Sequence, residues 1–192
     1  MKPNIPTMLT WLRILLIPVF VGAFYWPENL HKLSAMPSHW VNVFATSVFA
    51  IAAITDWLDG YLARRLNQTS AFGAFLDPVA DKLMVAAALI VLVEFGRVGA
   101  IVSLIIIGRE IAISALREWM AELGKRANIA VSYVGKVKTA LQMVSITILL
   151  AADGVPLFTN MGLVSLYLAA VLTIWSMLVY LKAAWPELKG RG

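Results

Sequence analysis

The apolar residues of this chain fall into long runs that short polar stretches separate. A helix that crosses a membrane needs about 20 mostly apolar residues, and six runs are close to that length. They are Met8 to Trp26, His39 to Ala63, Pro78 to Phe95, Val98 to Trp119, Ala130 to Ala152 and Thr159 to Lys182. The pattern predicts an all-α integral membrane protein in which six transmembrane helices form one domain over residues 1–192. We interpret the first run as a retained span, because no small-residue cleavage site follows it.

The composition agrees with a membrane protein. Of the 192 residues, 60 % are hydrophobic and 14 % are charged, whereas soluble domains carry about 25 % charged residues. The absence of cysteine excludes disulfides, thiolate metal sites and cysteine nucleophiles. The net charge is +5, but no basic run with interleaved aromatic residues occurs, so nucleic acid is not an expected partner.

The basic residues are distributed unevenly about the predicted spans. Six spans return both termini to one side, and all but two of the 16 Lys and Arg residues, Lys32 and Arg97, then lie on or toward that side. Because basic residues accumulate on the cytoplasmic side of membrane proteins, we expect both termini in the cytoplasm. Trp26, Trp40 and Trp119 lie at span ends, as interfacial anchors do.

Four carboxylates interrupt the apolar pattern at the predicted cytoplasmic ends of the second and third spans. Asp56 and Asp59 share one helix face, and so do Asp77 and Asp81. Asp77 followed by Pro78 is also typical of an N-cap, which predicts that the third helix begins there. A short loop then brings the two pairs together around a polar cavity that faces the cytoplasm.

Carboxylates without histidine or cysteine suit hard cations such as Mg²⁺, Mn²⁺ or Ca²⁺. The competing interpretation is that Asp77 only caps a helix and that Asp56 and Asp59 pair with Arg64, Arg65 or Lys82. Ionisable residues within a membrane are costly and usually functional, so we favour a metal site made by all four aspartates.

The spacing of these residues resembles the motif of the CDP-alcohol phosphatidyltransferase family. The motif reads D-x-x-D-G-x-x-A-R, eight residues, then G-x-x-x-D-x-x-x-D. The fixed positions here are Asp56, Asp59, Gly60, Ala63, Arg64, Gly73, Asp77 and Asp81. Further stretches, at residues 4–13, 108–119 and 135–139, are similar to bacterial members that use glycerol 3-phosphate.

The resemblance implies a multi-pass enzyme of the bacterial cytoplasmic (inner) membrane, with its active site facing the cytoplasm and a homodimeric assembly among membrane lipids. It implies transfer of the phosphatidyl group of CDP-diacylglycerol to glycerol 3-phosphate, with release of CMP, in phosphatidylglycerol and cardiolipin synthesis. Two divalent cations, Mg²⁺ or Mn²⁺, would be held by the four aspartates, with Asp81 as general base. The CDP group would be bound by Asp56, Gly60, Ala63, Arg64 and Gly73.

Basic residues in the fourth and fifth spans suggest a separate site for a phosphate on the acceptor. Arg109 lies too deep in its span to reach the interface, and a buried guanidinium requires an anion. We expect Glu110 to point away, because adjacent helical residues diverge, and we predict a phosphate pocket of Arg109, Arg117, Lys136 and Lys138. The alternative is that Arg109 binds a structural carboxylate, Glu110 or Glu118, while the lysines face lipid headgroups.

The N-terminal residues Thr10 and Arg13 share a helix face, so they are candidates for a short interfacial helix over the site. We favour membrane anchoring for Arg13 instead.

Other functions remain open at this stage. The acceptor alternatives are an inositol phosphate or serine, and a different class is a divalent-cation transporter. Transport sites tend to lie near the bilayer midplane on broken helices, whereas these acids cluster at one end.

Overall fold

The computed structural model describes residues 5–25, 38–66, 71–122, 133–152 and 154–189. These ranges contain six helices and no strand. In chain order the helices are α1 (Ile5–Phe24), α2 (Ser38–Leu66), α3 (Ala71–Glu94), α4 (Ala100–Glu122), α5 (Tyr133–Ala151) and α6 (Pro156–Lys189). Each helix overlaps one apolar run, so the predicted all-α class and the order of the helices are confirmed for the described residues.

The six helices pack side by side in a closed order. α1 contacts α2 and α3, α2 contacts α5, α5 contacts α6, α6 contacts α4, and α4 returns to α3. α3 also contacts α2 and α5 across the bundle. Every described helix therefore has at least two neighbours against which it buries a face.

The apolar core lies toward one end of the bundle. Its largest fully buried side chains include Phe20 of α1, Phe49 of α2, Leu89 of α3 and Ile146 of α5. In α1, α3 and α5 these residues come after the polar positions, and in α2 and α4 they come before them. The apolar core thus occupies one half of the bundle, which we call the core end, and the other half, the aspartate end, is left for polar side chains.

Tight connections fix the helices at the core end. α3 ends in a turn in which Gly96 has a φ of +68°. The N–H of Arg97 donates to the carbonyl of Leu92 at 2.8 Å, and that of Gly96 donates to Val93 at 3.0 Å. This is the Schellman pattern, which requires a left-handed residue and therefore favours glycine.

Arg97, in the turn after α3, also binds α2 and α5 at the core end. Its guanidinium donates to the carbonyls of Leu149 and Leu150 at 3.2 and 3.0 Å, and to Oδ1 of Asn42 at 2.8 Å. These bonds satisfy carbonyls at the C-terminus of α5, which the helix itself leaves without donors. Arg97 therefore has a structural role at the end of the bundle opposite the aspartates.

By length and composition, one described stretch, Pro156–Lys182 in α6, is long and apolar enough to cross a membrane. Shorter apolar helical stretches are Met8–Phe24 and Val137–Ala151. α2, α3 and α4 carry Asp56, Asp81 and Arg109 within their length. These three helices therefore differ from a uniformly apolar span in carrying charged residues within their length.

α5 and α6 are in close contact at Gly162. A Cβ atom at this position would lie 2.7 and 2.9 Å from Cγ and Cδ2 of Leu149, and 3.3 Å from Cγ2 of Ile148. Leu149 is fully buried, so it has little room to move. Glycine here permits the close helix contact that small residues provide in bundles.

We predict that Gly162→Ala lowers the free energy of unfolding by about 1–3 kcal/mol, the usual cost of overpacking a core. Gly22→Ala is the matched control, because Gly22 is an exposed helical glycine with no atom within 4 Å of the added Cβ. The measurement is the unfolding transition of each purified variant in detergent. Equal stability of the two variants would show that the contact at Gly162 is not tight.

Candidate active site

The predicted metal ligands lie on two neighbouring helices. Asp56 belongs to α2, whereas Asp77 and Asp81 belong to α3. The side chains of Asp56 and Asp81 are 46 % and 40 % exposed and both line one cavity. Asp59 lies in α2, but its side chain is outside the described set. The structure thus brings together Asp56 and Asp81 at one cavity, as the spacing predicts.

The prediction that Asp77 caps the third helix is wrong. α3 begins at Ala71, and Pro78 lies inside it. Proline lacks the N–H that would bond the carbonyl four residues earlier, but the helix continues through it. Asp81 is therefore about ten residues from the start of α3, roughly 15 Å along the helix, whereas an N-cap at Asp77 would place it one turn from that start.

α1 supplies polar partners for the aspartates. Thr10 donates a hydrogen bond to Oδ1 of Asp77, and Arg13 donates to Oδ1 of Asp81. The same nitrogen of Arg13, Nη1, lies 3.3 Å from Oδ1 of Asp56. Thr10 and Arg13 are 0 % and 1 % exposed. The interpretation of Arg13 as a membrane anchor is wrong, because its guanidinium is inside the bundle between two carboxylates.

The α1 contacts also correct the expected form of the N-terminal segment. Thr10 and Arg13 belong to the single 20-residue helix α1, which continues through Pro18. They are not part of a separate short interfacial helix. Their spacing of three residues places both on the face of α1 that meets α3.

The chemistry of the acidic residues fits a hard divalent cation. Asp56, Asp77 and Asp81 offer only carboxylate oxygens, the donors that Mg²⁺, Mn²⁺ and Ca²⁺ prefer. Arg13 already shows that a cation is accommodated between Asp56 and Asp81. Among the described side chains, no group of three His, Cys, Asp or Glu residues is close enough to form a complete metal site. The four-aspartate set therefore stays a prediction.

The predicted phosphate-binding residues meet around a carboxylate. Lys138 Nζ lies 2.5 Å from Oε1 of Glu110, and Arg109 Nη1 lies 3.1 Å from the same oxygen. Nη2 of Arg109 donates to Oγ of Ser176 in α6 at 3.0 Å. The expectation that Glu110 points away from Arg109 is wrong. Although adjacent residues diverge, the long arginine side chain reaches back to its neighbour while Lys138 approaches from α5.

Arg117 lies on the same wall of the cavity as Arg109. Its guanidinium carbon is 5.5 Å from the centre of the Tyr180 ring, a cation–π distance. The side chain of Lys136 is outside the described set, so its place in the pocket stays a prediction.

One cavity of about 260 Å³ connects the acidic and the basic residues. Arg13, Asp56 and Asp81 line it from α1, α2 and α3. Arg109, Glu110 and Arg117 line it from α4. α1, α2 and α3 therefore contribute two carboxylates together with the cations Arg13 and Lys82, and α4 contributes two guanidinium groups and one carboxylate. Carboxylates suit a metal ion and guanidinium groups suit a phosphate.

The predicted CDP-binding residues are only partly described. Gly60, Ala63 and Arg64 lie in α2, but their side chains are outside the described set. Gly73 is buried in the first turn of α3. The assignment of these four positions to the CDP group stays a prediction.

Comparison with known proteins identifies the family. The model of the family described as CDP-alcohol phosphatidyltransferase matches residues 3–175, which include every residue of the cavity. The chain belongs to the CDP-alcohol phosphatidyltransferase family.

Relatives of this CDP-alcohol phosphatidyltransferase match over nearly its full length. A Pseudomonas fluorescens protein is 54 % identical over 98 % of this chain and 94 % of its own length. A Sodalis glossinidius protein is 50 % identical over 98 % of both chains, and a Yersinia enterocolitica protein is 51 % identical over 98 % of both. All three are named CDP-diacylglycerol–glycerol-3-phosphate 3-phosphatidyltransferase.

Sequence reasoning missed two contributions to the site. Glu110 was considered only as the alternative structural partner of Arg109, and Gln142, which lines the cavity from α5, was not considered. Both follow an available signal: Gln142 is four residues after Lys138 and shares its helix face, and Glu110 is a carboxylate inside an apolar run.

We predict that Arg13→Leu destabilises the metal-free protein, because Asp56 and Asp81 then lose the cation between them. The expected loss is about 1–3 kcal/mol, less than the ~3–5 kcal/mol for breaking a fully buried pair, since both carboxylates are partly exposed. Thermal unfolding in EDTA measures it, and added Mn²⁺ should restore more stability to this variant than to the unaltered protein. Lys182→Leu, which removes an exposed charge in the C-terminal part of α6, is the control. Unfolding of Arg13→Leu at the control's temperature would contradict the assigned pairing.

Proposed function

We infer that this protein is an enzyme that transfers the phosphatidyl group of CDP-diacylglycerol to glycerol 3-phosphate. The products are phosphatidylglycerophosphate and CMP, so the reaction belongs to phospholipid biosynthesis. The observation that carries this conclusion is the roughly 50 % identity, over almost the whole chain, to proteins named for this reaction. The cavity with its carboxylates and guanidinium groups is consistent with it.

The reaction requires one bond to form and one to break. A primary hydroxyl oxygen of glycerol 3-phosphate attacks the phosphorus that carries the diacylglycerol, and the bond from that phosphorus to the CMP oxygen breaks. The hydroxyl proton passes to a base. We assign this role to the Asp81 carboxylate, which is partly exposed in the cavity and from which the proton can reach solvent.

The metals of this site would be two divalent cations, Mg²⁺ or Mn²⁺, held by Asp56, Asp59, Asp77 and Asp81. When bound, such cations neutralise pyrophosphate charge and act as Lewis acids on its oxygens. The chain positions the carboxylates through α1: Thr10 holds Asp77 and Arg13 holds Asp81. Fixed ligands reduce the reorganisation that would otherwise accompany the reaction.

We call the cations Arg109, Arg117 and Lys138 the basic wall, and they would hold the phosphate of the acceptor. Arg109 and Lys138 contact the carboxylate of Glu110, and Arg117 lines the same cavity, so three cations accompany one carboxylate. They leave an excess of two positive charges, which a phosphate monoester dianion would balance. The Nε–H of Arg109 is buried without a hydrogen-bond partner among the described residues, so Arg109 retains a donor for a phosphate oxygen. Glu110 would hold Arg109 and Lys138 in place.

The proposed setting is a bacterial cytoplasmic membrane crossed by all six helices. The outer surface supports this, because Ile101, Leu104 and Val171 are large apolar residues that are more than half exposed, as lipid-facing residues are. Soluble proteins rarely expose so much apolar surface. The basic residues would place both termini and the cavity on the cytoplasmic side, and a homodimer is the proposed assembly.

We predict that the purified protein releases CMP from CDP-diacylglycerol only when both glycerol 3-phosphate and Mg²⁺ or Mn²⁺ are present. Inositol 1-phosphate and serine should support little release, and Asp81→Asn should lower kcat by about 10²–10⁴-fold, the usual range for loss of a general base. CMP release is measured by chromatography. A preference for inositol 1-phosphate would refute the assigned acceptor. Uptake of metal into vesicles without CMP release would instead indicate a transporter.

A further inference from the structure

Gln142 is a buried polar residue in the cavity that the function described so far does not use. It lies in the middle of α5, is 4 % exposed, and lines the cavity together with Asp81 and Arg109. Its Oε1 atom is buried and has no hydrogen-bond partner among the described residues. Most buried polar atoms in native proteins are paired, so this carbonyl oxygen requires an explanation.

The cavity lining includes donors, among them Ser114, Thr139 and Arg109, but none of them is hydrogen-bonded to Oε1 of Gln142. Other lining residues from α2, α3 and α5, such as Ala52, Met84 and Met143, have no polar hydrogen in their side chains. An amide oxygen accepts hydrogen bonds and repels the oxygens of a phosphate. The missing partner is therefore a donor on a ligand, such as a hydroxyl group, and not an anion.

The position of Gln142 relative to the basic wall narrows the choice of hydroxyl. Lys138 and Gln142 are four residues apart on α5, so they lie on one face, one turn apart. Lys138 contacts Glu110, which contacts Arg109. A ligand whose phosphate is bound near these cations therefore has its adjoining carbon atoms within reach of Gln142.

Glycerol 3-phosphate has one hydroxyl that the reaction leaves unchanged. Its phosphate is on C3 and the attacking hydroxyl is on C1, so the C2 hydroxyl lies between the two. We propose that Oε1 of Gln142 accepts a hydrogen bond from this C2 hydroxyl and that Gln142 is a specificity-determining residue for the acceptor. The inference rests on the proposed function and adds a residue that recognises the hydroxyl on the carbon chain of the substrate.

The bond has a consequence for selectivity. A site that hydrogen-bonds a substrate hydroxyl discriminates against an analogue without it, because the buried protein group is left unpaired. Replacing Gln142 with an apolar residue of similar size removes the polar group, so the analogue should no longer be at a disadvantage.

The test compares glycerol 3-phosphate with 3-hydroxypropyl phosphate, which lacks only the C2 hydroxyl. We expect the unaltered enzyme to prefer glycerol 3-phosphate by about 10–100-fold in kcat/KM, on the scale of a lost buried hydrogen bond. In Gln142→Met the preference should fall to within about threefold, with the KM for CDP-diacylglycerol unchanged. Met143→Leu, an apolar substitution in the same cavity wall, should retain the full preference. Gln142→Leu is a second variant for the same comparison.

The outcomes separate this inference from the proposed function. If the unaltered enzyme does not use glycerol 3-phosphate, the proposed function fails. If it does, but Gln142→Met discriminates as strongly as the unaltered enzyme, only the role of Gln142 is overturned. A raised KM for CDP-diacylglycerol with unchanged acceptor preference would also overturn it, by assigning Gln142 to the nucleotide.

Discussion

The site depends on how this bundle compensates carboxylates inside apolar helices. Arg13 contacts Asp81 and lies 3.3 Å from Asp56, so one guanidinium joins α1 to both helices that carry the acids. Charge in a medium of low polarity is costly unless it is paired. The pairing explains why Arg13 is buried in an apolar helix, and why α1 is packed against α2 and α3.

The two halves of the bundle have different physical roles. At the core end, Phe20, Phe49, Leu89 and Ile146 fill the interior, and the turn at Gly96 closes α3. At the aspartate end, the interior of the bundle contains a cavity of about 260 Å³, and polar side chains contribute to its lining. Close packing at the core end makes the helices rigid. This rigidity helps to fix the side chains that line the cavity at the aspartate end, where packing is less close.

Much of the fold was predictable because it depends on local pattern. Six apolar runs of membrane length gave six helices in the right order, and the spacing of Asp56 and Asp81 placed them together. The N-cap at Asp77 was wrong because a proline within a helix and a proline at its start look alike in sequence. The ion pairs between helices were harder to predict from the sequence. Arg13 lies 68 residues from Asp81 in the chain, and only the packing of α1 on α3 reveals the contact.

The partners of the basic residues were equally hard to predict from the sequence. Arg109 was correctly marked as a buried cation that needs an anion, but the choice of Glu110 depends on the reach of Lys138 from another helix. The sequence places Gln142 on the helix face of Lys138, but only the packed bundle shows that its Oε1 has no hydrogen-bond partner among the described residues. Periodicity predicts which face a residue occupies, whereas hydrogen bonding depends on the neighbouring helices.

The central claim is that the acidic residues of α2 and α3 hold divalent cations at the cavity. Electron paramagnetic resonance of the purified protein with Mn²⁺, without substrates, tests it most directly. The account predicts two bound Mn²⁺ ions per chain, close enough for their spins to couple. A spectrum of free hydrated Mn²⁺ alone, from folded protein incubated with excess Mn²⁺, would contradict it.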